Sequence, residues 1–135
     1  MHEPRKSSDK FHGDVGSFIT AADAKSRTRQ HRAFEEGKLG LKPDEVTKAE
    51  FFGINRISKL MGRKDCVGIR IYYGKRYEDA DGDPTTQDKG ELKPRLVLVG
   101  VRADGSDIFE DKEGLKDMIG DGDALADGAP CPQFC

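Results

Sequence analysis

CVGIRIYYG, residues 66–74, is the densest run of β-branched and aromatic residues in the chain. Such residues favour an extended backbone, so this stretch predicts the central strand of a sheet. Side chains alternate between the two faces of a strand, which places Val67, Ile69, Ile71 and Tyr73 together on one face. This apolar set is expected to face the core.

Two further strands are predicted downstream of this run. The segment RLVLVGV at residues 95–101 is apolar on both faces, as expected for the interior of a sheet, and Pro94 is predicted to open it. The turn sequence ADGS at 103–106 leads to a short strand at 107–109. Three strands joined in this order indicate an antiparallel meander.

Two helices are predicted before the central strand. Thr20 is a suitable N-cap for a helix at residues 21–36, with Gly37 ending it. The apolar spacing at 55–61 is helical, whereas residues 50–52 fit either a last helical turn or a short extended piece. The expected fold is α+β, a small antiparallel sheet of three or more strands with two main helices packed on one face.

The length of 135 residues fits a single domain. Residues 1–17 mix charge, glycine and proline without periodicity and are predicted to be a flexible N-terminal arm. Residues 18–119 are expected to form the α+β domain, and residues 120–135 an acidic, cysteine-containing C-terminal tail. No continuous apolar segment fits a signal peptide or a membrane helix, so a cytoplasmic protein without a membrane partner is expected.

The charges are unevenly distributed along the chain. Residues 1–42 carry nine basic and six acidic side chains, whereas residues 103–135 carry two basic and nine acidic ones. Oppositely charged ends can pair within one chain or between copies. The candidate interaction residues are a basic row on one face of the first helix, two residues on the outer face of the central strand, and acidic residues of the tail: Lys25, Arg29, Arg32, Arg70, Tyr72, Asp121, Asp123 and Asp127.

Three cysteines leave several alternatives open. Cys131 and Cys135 have three residues between them, which fits free thiols, a disulfide within or between chains, or part of a metal site with Cys66. Asp79, Asp81 and Asp83 occupy the first, third and fifth positions of a calcium loop. The sixth position is proline instead of glycine and the twelfth is glycine instead of glutamate, so a solvated loop is the competing interpretation. No cofactor is predicted.

Nucleophilic catalysis is disfavoured. All three histidines, His2, His12 and His31, lie in the first quarter of the chain, and two belong to the predicted arm. The sequence has no Gly-x-Ser-x-Gly elbow and no phosphate-binding loop.

The chain resembles a family of hypothetical proteins found mainly in Bacteroidota. The resemblance lies in CVGIRIYYG at 66–74, LVLVGV at 96–101, the Asp104-Gly105 turn with Asp107, and the C-terminal CPQFC at 131–135. That family has no established activity, so the resemblance implies no catalytic residue.

The expected function is a non-enzymatic protein-interaction or self-assembly module, in which arm and tail contact neighbouring copies or a protein partner. A cysteine-based metal or redox protein is the alternative. A third interpretation is single-stranded nucleic-acid binding through residues 25–32 and the face carrying Arg70 and Tyr72, although the net charge of −2 disfavours it.

Overall fold

The computed structural model describes residues 10–109 and 124–135, and a long β-hairpin is its central feature. The hairpin strands are β2 (Gly68–Glu78) and β3 (Glu91–Val101), which pair antiparallel along their whole length. The short β4 (Asp107–Ile108) pairs with the other side of β3, giving the strand order β2-β3-β4. The predicted meander is confirmed.

The other elements complete an α+β fold, which confirms the predicted class. Helix α1 spans Ala21–Lys38 and helix α2 spans Ile54–Met61. Strand β1 (Ala49–Phe51) pairs antiparallel with β5 (Ala129–Cys131) in a second, two-stranded sheet. No described helix is long and apolar enough to cross a membrane.

Local sequence explains where α1 begins and ends. Thr20 accepts a hydrogen bond at its Oγ1 from the Asp23 N–H at 3.1 Å, as predicted for the N-cap. The predicted end at Gly37 was wrong, because the helix continues to Lys38. A glycine inside a helix costs about 1 kcal/mol but does not interrupt its hydrogen bonds. The chain leaves the helix at Gly40, whose φ of +67° is typical of the residue after a helix C-cap.

The hairpin is longer than the sequence pattern predicted. It includes residues 75–78 and 91–93, most of which are charged, and Pro94 lies inside β3 instead of opening it. Leu96 and Leu98 donate their N–H groups to acceptors on the side of β3 away from β2. Backbone direction alternates along a strand, so the missing N–H of Pro94 also falls on that side and costs the hairpin no hydrogen bond.

The core lies at one end of the hairpin. Its buried apolar residues come from the segment before β1, from α2, and from strands β3 and β4: Val46, Leu60, Leu98, Val99, Val101 and Ile108. Gly100 lets α2 approach closely, since a Cβ there would meet the Cys66 Sγ at 3.2 Å and the Leu60 carbonyl oxygen at 3.5 Å.

The expectation that Ile71 and Tyr73 face the core was wrong. Ile71 is 55% exposed and Tyr73 is 96% exposed. Leu60, the one buried residue of α2, lies against Gly100, which pairs with Ile69 near the start of β2. The hairpin extends beyond this covered end, so the later positions of the same face meet solvent.

Candidate interaction surface

The outer edge of β3 is closed by hydrogen bonds. Gly100 pairs with Ile108 of β4, and Leu98 exchanges two backbone hydrogen bonds with Leu125, at 2.8 and 2.9 Å. The Leu96 N–H donates to Oε1 of Glu50 at 2.8 Å, while Oε2 of the same carboxylate accepts from the Gly128 N–H at 3.0 Å. Glu50 therefore joins the two sheets, and residues returning after 124 cover this edge.

The outer edge of β2 is open in the structure of residues 10–109 and 124–135. Glu78 pairs with Glu91 on the β3 side and with Pro84 of the connecting loop on the opposite side. The Tyr77 carbonyl and the Asp79 N–H bond to Thr85 and Asp83 of that loop and therefore point away from β3. Because direction alternates, the backbone groups of residues 69, 71, 73 and 75 point the same way. Within the described residues, no strand lies against them.

Exposed side chains accompany this open edge. Ile71 and Tyr73 lie on one face of β2, next to an exposed Lys75, and their backbone groups are those that point outward. The alternation of side chains predicted that Ile71 and Tyr73 face the core. The prediction failed because β2 is an edge strand, and residues 66–74 by themselves do not reveal the order of the strands.

The predicted basic row lies on α1, and this helix has no buried residue. Lys25 and Arg29 are exposed and Arg32 is half-buried. The helix is linked to the rest of the fold by the His31 Nε2, which lies 2.9 Å from the Thr47 carbonyl oxygen. His31 also lies 3.8 Å from Glu35 through its other ring nitrogen. Lys25 and Arg29 thus present the row to solvent, and Arg32 is partly covered.

Arg70 and Tyr72, the predicted interaction residues of the sheet, both bond to Asp107. The Arg70 guanidinium and the Tyr72 hydroxyl each donate to this carboxylate, and Arg70 also donates to the Gly105 carbonyl at 3.1 Å. The ring of Phe11 covers Arg70, with 5.3 Å between the guanidinium carbon and the ring centroid. These contacts clamp the β3–β4 turn and the chain near Phe11 onto β2.

Only glycine fits at position 105 of this clamp. Its φ of +88° favours glycine, and a Cβ would meet the Phe11 ring at 2.7 Å. The clamp therefore gives Arg70 and Tyr72 a role in holding the fold, which the sequence did not reveal because Asp107 is distant along the chain.

A buried ion-pair network lies at the loop end of the hairpin. Arg95 binds both carboxylate oxygens of Glu78, at 2.5 and 2.8 Å, and Glu78 and Arg95 are 5% and 9% exposed. Arg76 also donates to Glu78, at 2.6 Å, and to Asp127, at 2.9 Å. Burial by itself would raise the pKa of Glu78, but the two arginines outweigh it and lower that pKa. Of the predicted acidic residues, Asp127 is thus paired, whereas Asp121 and Asp123 lie outside the described residues.

The predicted calcium residues form a turn. One oxygen of Asp79, Oδ1, accepts the N–H groups of Asp81 and Asp83, at 2.9 and 3.0 Å. This is the geometry of an aspartate that closes its own loop. Within the described residues, no group of three or more His, Cys, Asp or Glu side chains is arranged to hold a metal ion.

The terminal cysteines are joined as a disulfide, Cys131–Cys135, with 4.7 Å between their Cα atoms, and Cys66 is a free thiol. Cys131 is also part of β5, and its carbonyl accepts from the Lys48 N–H at 2.8 Å. Within the disulfide loop, Gln133 lies against Gly82, where a Cβ would meet the Gln133 Oε1 at 2.8 Å. The disulfide loop therefore contacts the hairpin loop.

A cleft of about 530 Å³ lies between these two loops. Its wall combines acidic and basic groups, including Glu78, Lys89, Lys93 and Arg95. Among the described residues, no buried side-chain nitrogen or oxygen in this wall lacks a hydrogen-bond partner. The cleft therefore offers no convergent set of unsatisfied groups that would define a ligand.

Comparison with known proteins assigns none of these surfaces. No protein-family model, curated protein or solved structure matches this chain. The resemblance to the Bacteroidota family stays a prediction.

Proposed function

We propose that the protein is a non-enzymatic interaction module that associates with acidic protein surfaces, including those of neighbouring copies, through the basic row of α1. The observation that carries this proposal is the exposure of α1: the helix has 18 residues and none is buried. A helix gains most of its stability in a protein from packing an apolar face, and α1 has no such face.

The chemistry of the row suggests the kind of partner. Lys25, Arg29 and Arg32 lie within about 60° of each other around the helix, at about 100° per residue. Carboxylates are the natural protein partners of such a row. The chain has its own excess of carboxylates after residue 103, nine acidic against two basic side chains. A second copy is therefore the first partner to test.

Salt dependence provides the experiment. Sedimentation equilibrium of the full chain is expected to show self-association that weakens as ionic strength rises, because exposed charges are screened within about 10 Å at 0.1 M salt. Arg29→Glu is expected to weaken this association about tenfold, the effect of reversing one charge among several.

Arg27→Glu is the matched control. Arg27 lies on the same helix and is also exposed, but it points about 160° away from Arg29. Equal effects of the two substitutions would show that only net charge matters and would contradict the proposed row. A protein that stays monomeric at low salt and does not bind an acidic polypeptide would contradict the function itself.

The disulfide favours a redox function as a second candidate. Both terminal thiols are consumed in Cys131–Cys135, so this observation supports a redox pair more than a metal site. Counting reactive thiols before and after treatment with dithiothreitol and glutathione mixtures would give the reduction potential. A potential below about −300 mV is typical of a structural disulfide and would remove this candidate.

A further inference from the structure

We infer that the open edge of β2 pairs with β2 of a second copy, in an antiparallel two-fold dimer centred on Tyr72. The inference shares self-association with the proposed function but uses a different surface, so the two can fail independently. Because backbone direction alternates along a strand, residues 69, 71, 73 and 75 direct their backbone groups away from β3.

The open edge has defined ends. Beyond Lys75, the loop residue Thr85 already occupies the Tyr77 carbonyl, at 2.9 Å. Before Ile69, the Val67 N–H turns back to the Val101 carbonyl, at 2.8 Å. A partner strand therefore meets an edge that runs from Ile69 to Lys75 and whose midpoint is Tyr72.

A second copy matches this edge in one register. With Tyr72 opposite Tyr72, Ile71 lies opposite Tyr73 and Ile69 lies opposite Lys75, so every outward-pointing residue is paired. This gives about eight main-chain hydrogen bonds, two for each pair of hydrogen-bonded residues. Centring the dimer on Ile71 would leave Lys75 without a partner, and centring it on Tyr73 would place the occupied Tyr77 in the ladder.

The side chains suit the same register. Two neighbouring antiparallel strands related by a two-fold axis keep the same faces on the same side, so the exposed Ile71 and Tyr73 of both copies meet as cross-strand aromatic and β-branched pairs. On the other face, Arg70 and Arg76 lie opposite Gly74 and Gly68. Because each arginine faces a glycine, no like charges are placed directly opposite each other. Both arginines also keep their ion pairs, to Asp107 and to Glu78.

A proline substitution tests the backbone pairing. Tyr73→Pro removes an outward N–H that β3 does not use, whereas Tyr73→Ala removes the same ring but keeps the N–H. Sedimentation equilibrium of the full chain is expected to show a dimer. Tyr73→Pro should raise its dissociation constant roughly 30-fold relative to Tyr73→Ala, because the two-fold axis removes two hydrogen bonds. Circular dichroism and thermal unfolding verify that both variants are folded.

Cross-linking tests the register. In a Cys66→Ala background, Tyr72→Cys places the two new thiols about 5 Å apart at Cβ, whereas Lys75→Cys places them about 20 Å apart. A short bismaleimide is expected to link the first variant and not the second. Charge reversal at Arg29 and added salt should leave this link unchanged, which separates the β2 dimer from the contacts proposed for α1.

Three outcomes would overturn the inference. A protein that stays monomeric at millimolar concentration would exclude the dimer, and a strand from a different protein would then be the candidate partner of the β2 edge. Equal cross-linking at positions 72 and 75 would exclude the register, and a dimer that tolerates Tyr73→Pro would exclude main-chain pairing at β2.

Discussion

The two outer edges of the β2–β3 hairpin differ in what covers them. On β3, the outward N–H groups of Leu96, Leu98 and Gly100 lie against Glu50, Leu125 and β4, and Pro94 has no N–H to satisfy. On β2, no described strand covers residues 69–75. In the part of the chain that the structure describes, distant segments thus close one edge and leave the other free. Unpaired edges favour pairing with other strands, so the difference separates what holds the fold from what is available to a partner.

The largest expected effect comes from breaking the ion pair that both hairpin strands share. Glu78→Ala leaves the Arg95 guanidinium buried without its carboxylate, and removing one partner of a buried pair costs about 3–5 kcal/mol. Urea unfolding monitored by circular dichroism measures this loss. Glu91→Ala is the matched control, since Glu91 lies opposite Glu78 on the same rung with its side chain 84% exposed. A loss for Glu78→Ala no greater than for Glu91→Ala would contradict the burial of the pair.

The same pair predicts how stability depends on pH. The pKa of Glu78 is below its ordinary value of 4.5, because Arg95 and Arg76 stabilise the carboxylate more than burial destabilises it. Its contribution is therefore complete above about pH 4.5 and is lost as the pH falls through the lower pKa of the folded state. The acid-induced loss should be smaller in Glu78→Gln, whose side chain has no proton to gain. Identical acid unfolding of the two proteins would show that other carboxylates dominate.

A smaller effect is expected from opening the closed edge. Glu50→Ala removes the acceptor of the Leu96 and Gly128 N–H groups, and hydrogen bonds to a charged group contribute about 1.5–3 kcal/mol each. Partial exposure of Glu50 places the total for the two bonds at the lower end, about 3 kcal/mol. Glu50→Gln keeps one acceptor oxygen and should lose about half as much. Equal losses in both variants would show that charge, not hydrogen bonding, explains the role of Glu50.

Reduction of the disulfide should have a still smaller effect on stability. Closing a loop of about five residues stabilises a fold by about 2 kcal/mol in the chain-entropy model. Dithiothreitol is expected to lower the free energy of unfolding by that amount in the native protein and in Cys66→Ala, but to have no effect on Cys131→Ala. A reductant effect that requires Cys66 would contradict this assignment.

Local sequence patterns predicted the helices and strands well, but they did not predict the contacts between residues that are distant in sequence. The β-branched run at 66–74 predicted a strand, and Thr20 predicted the start of α1, because both signals depend on nearby residues. The ends of the hairpin were missed because most of residues 75–78 and 91–93 are charged. Arg95 makes Glu78 compatible with burial only once the two strands are paired. The roles of Arg70 and Glu50 were hidden for the same reason: their partners, Asp107 and Leu96, are 37 and 46 residues away.

Amide hydrogen exchange should show the contrast between the two edges directly in the native protein, with no substitution that changes its stability. The Leu98 N–H is bonded to Leu125 in the core region, so its exchange requires a large opening of the fold. The Ile71 N–H, on the opposite residue of the same rung, points to the open edge and should exchange roughly a hundredfold faster or more in a dilute, monomeric sample. If β2 pairs with a second copy, protection of Ile71 and Tyr73 should rise with protein concentration, while that of Leu98 stays constant. Protection of Ile71 that is already high in the monomer would show that the edge of β2 is covered within one chain, and the contrast between the two edges would disappear.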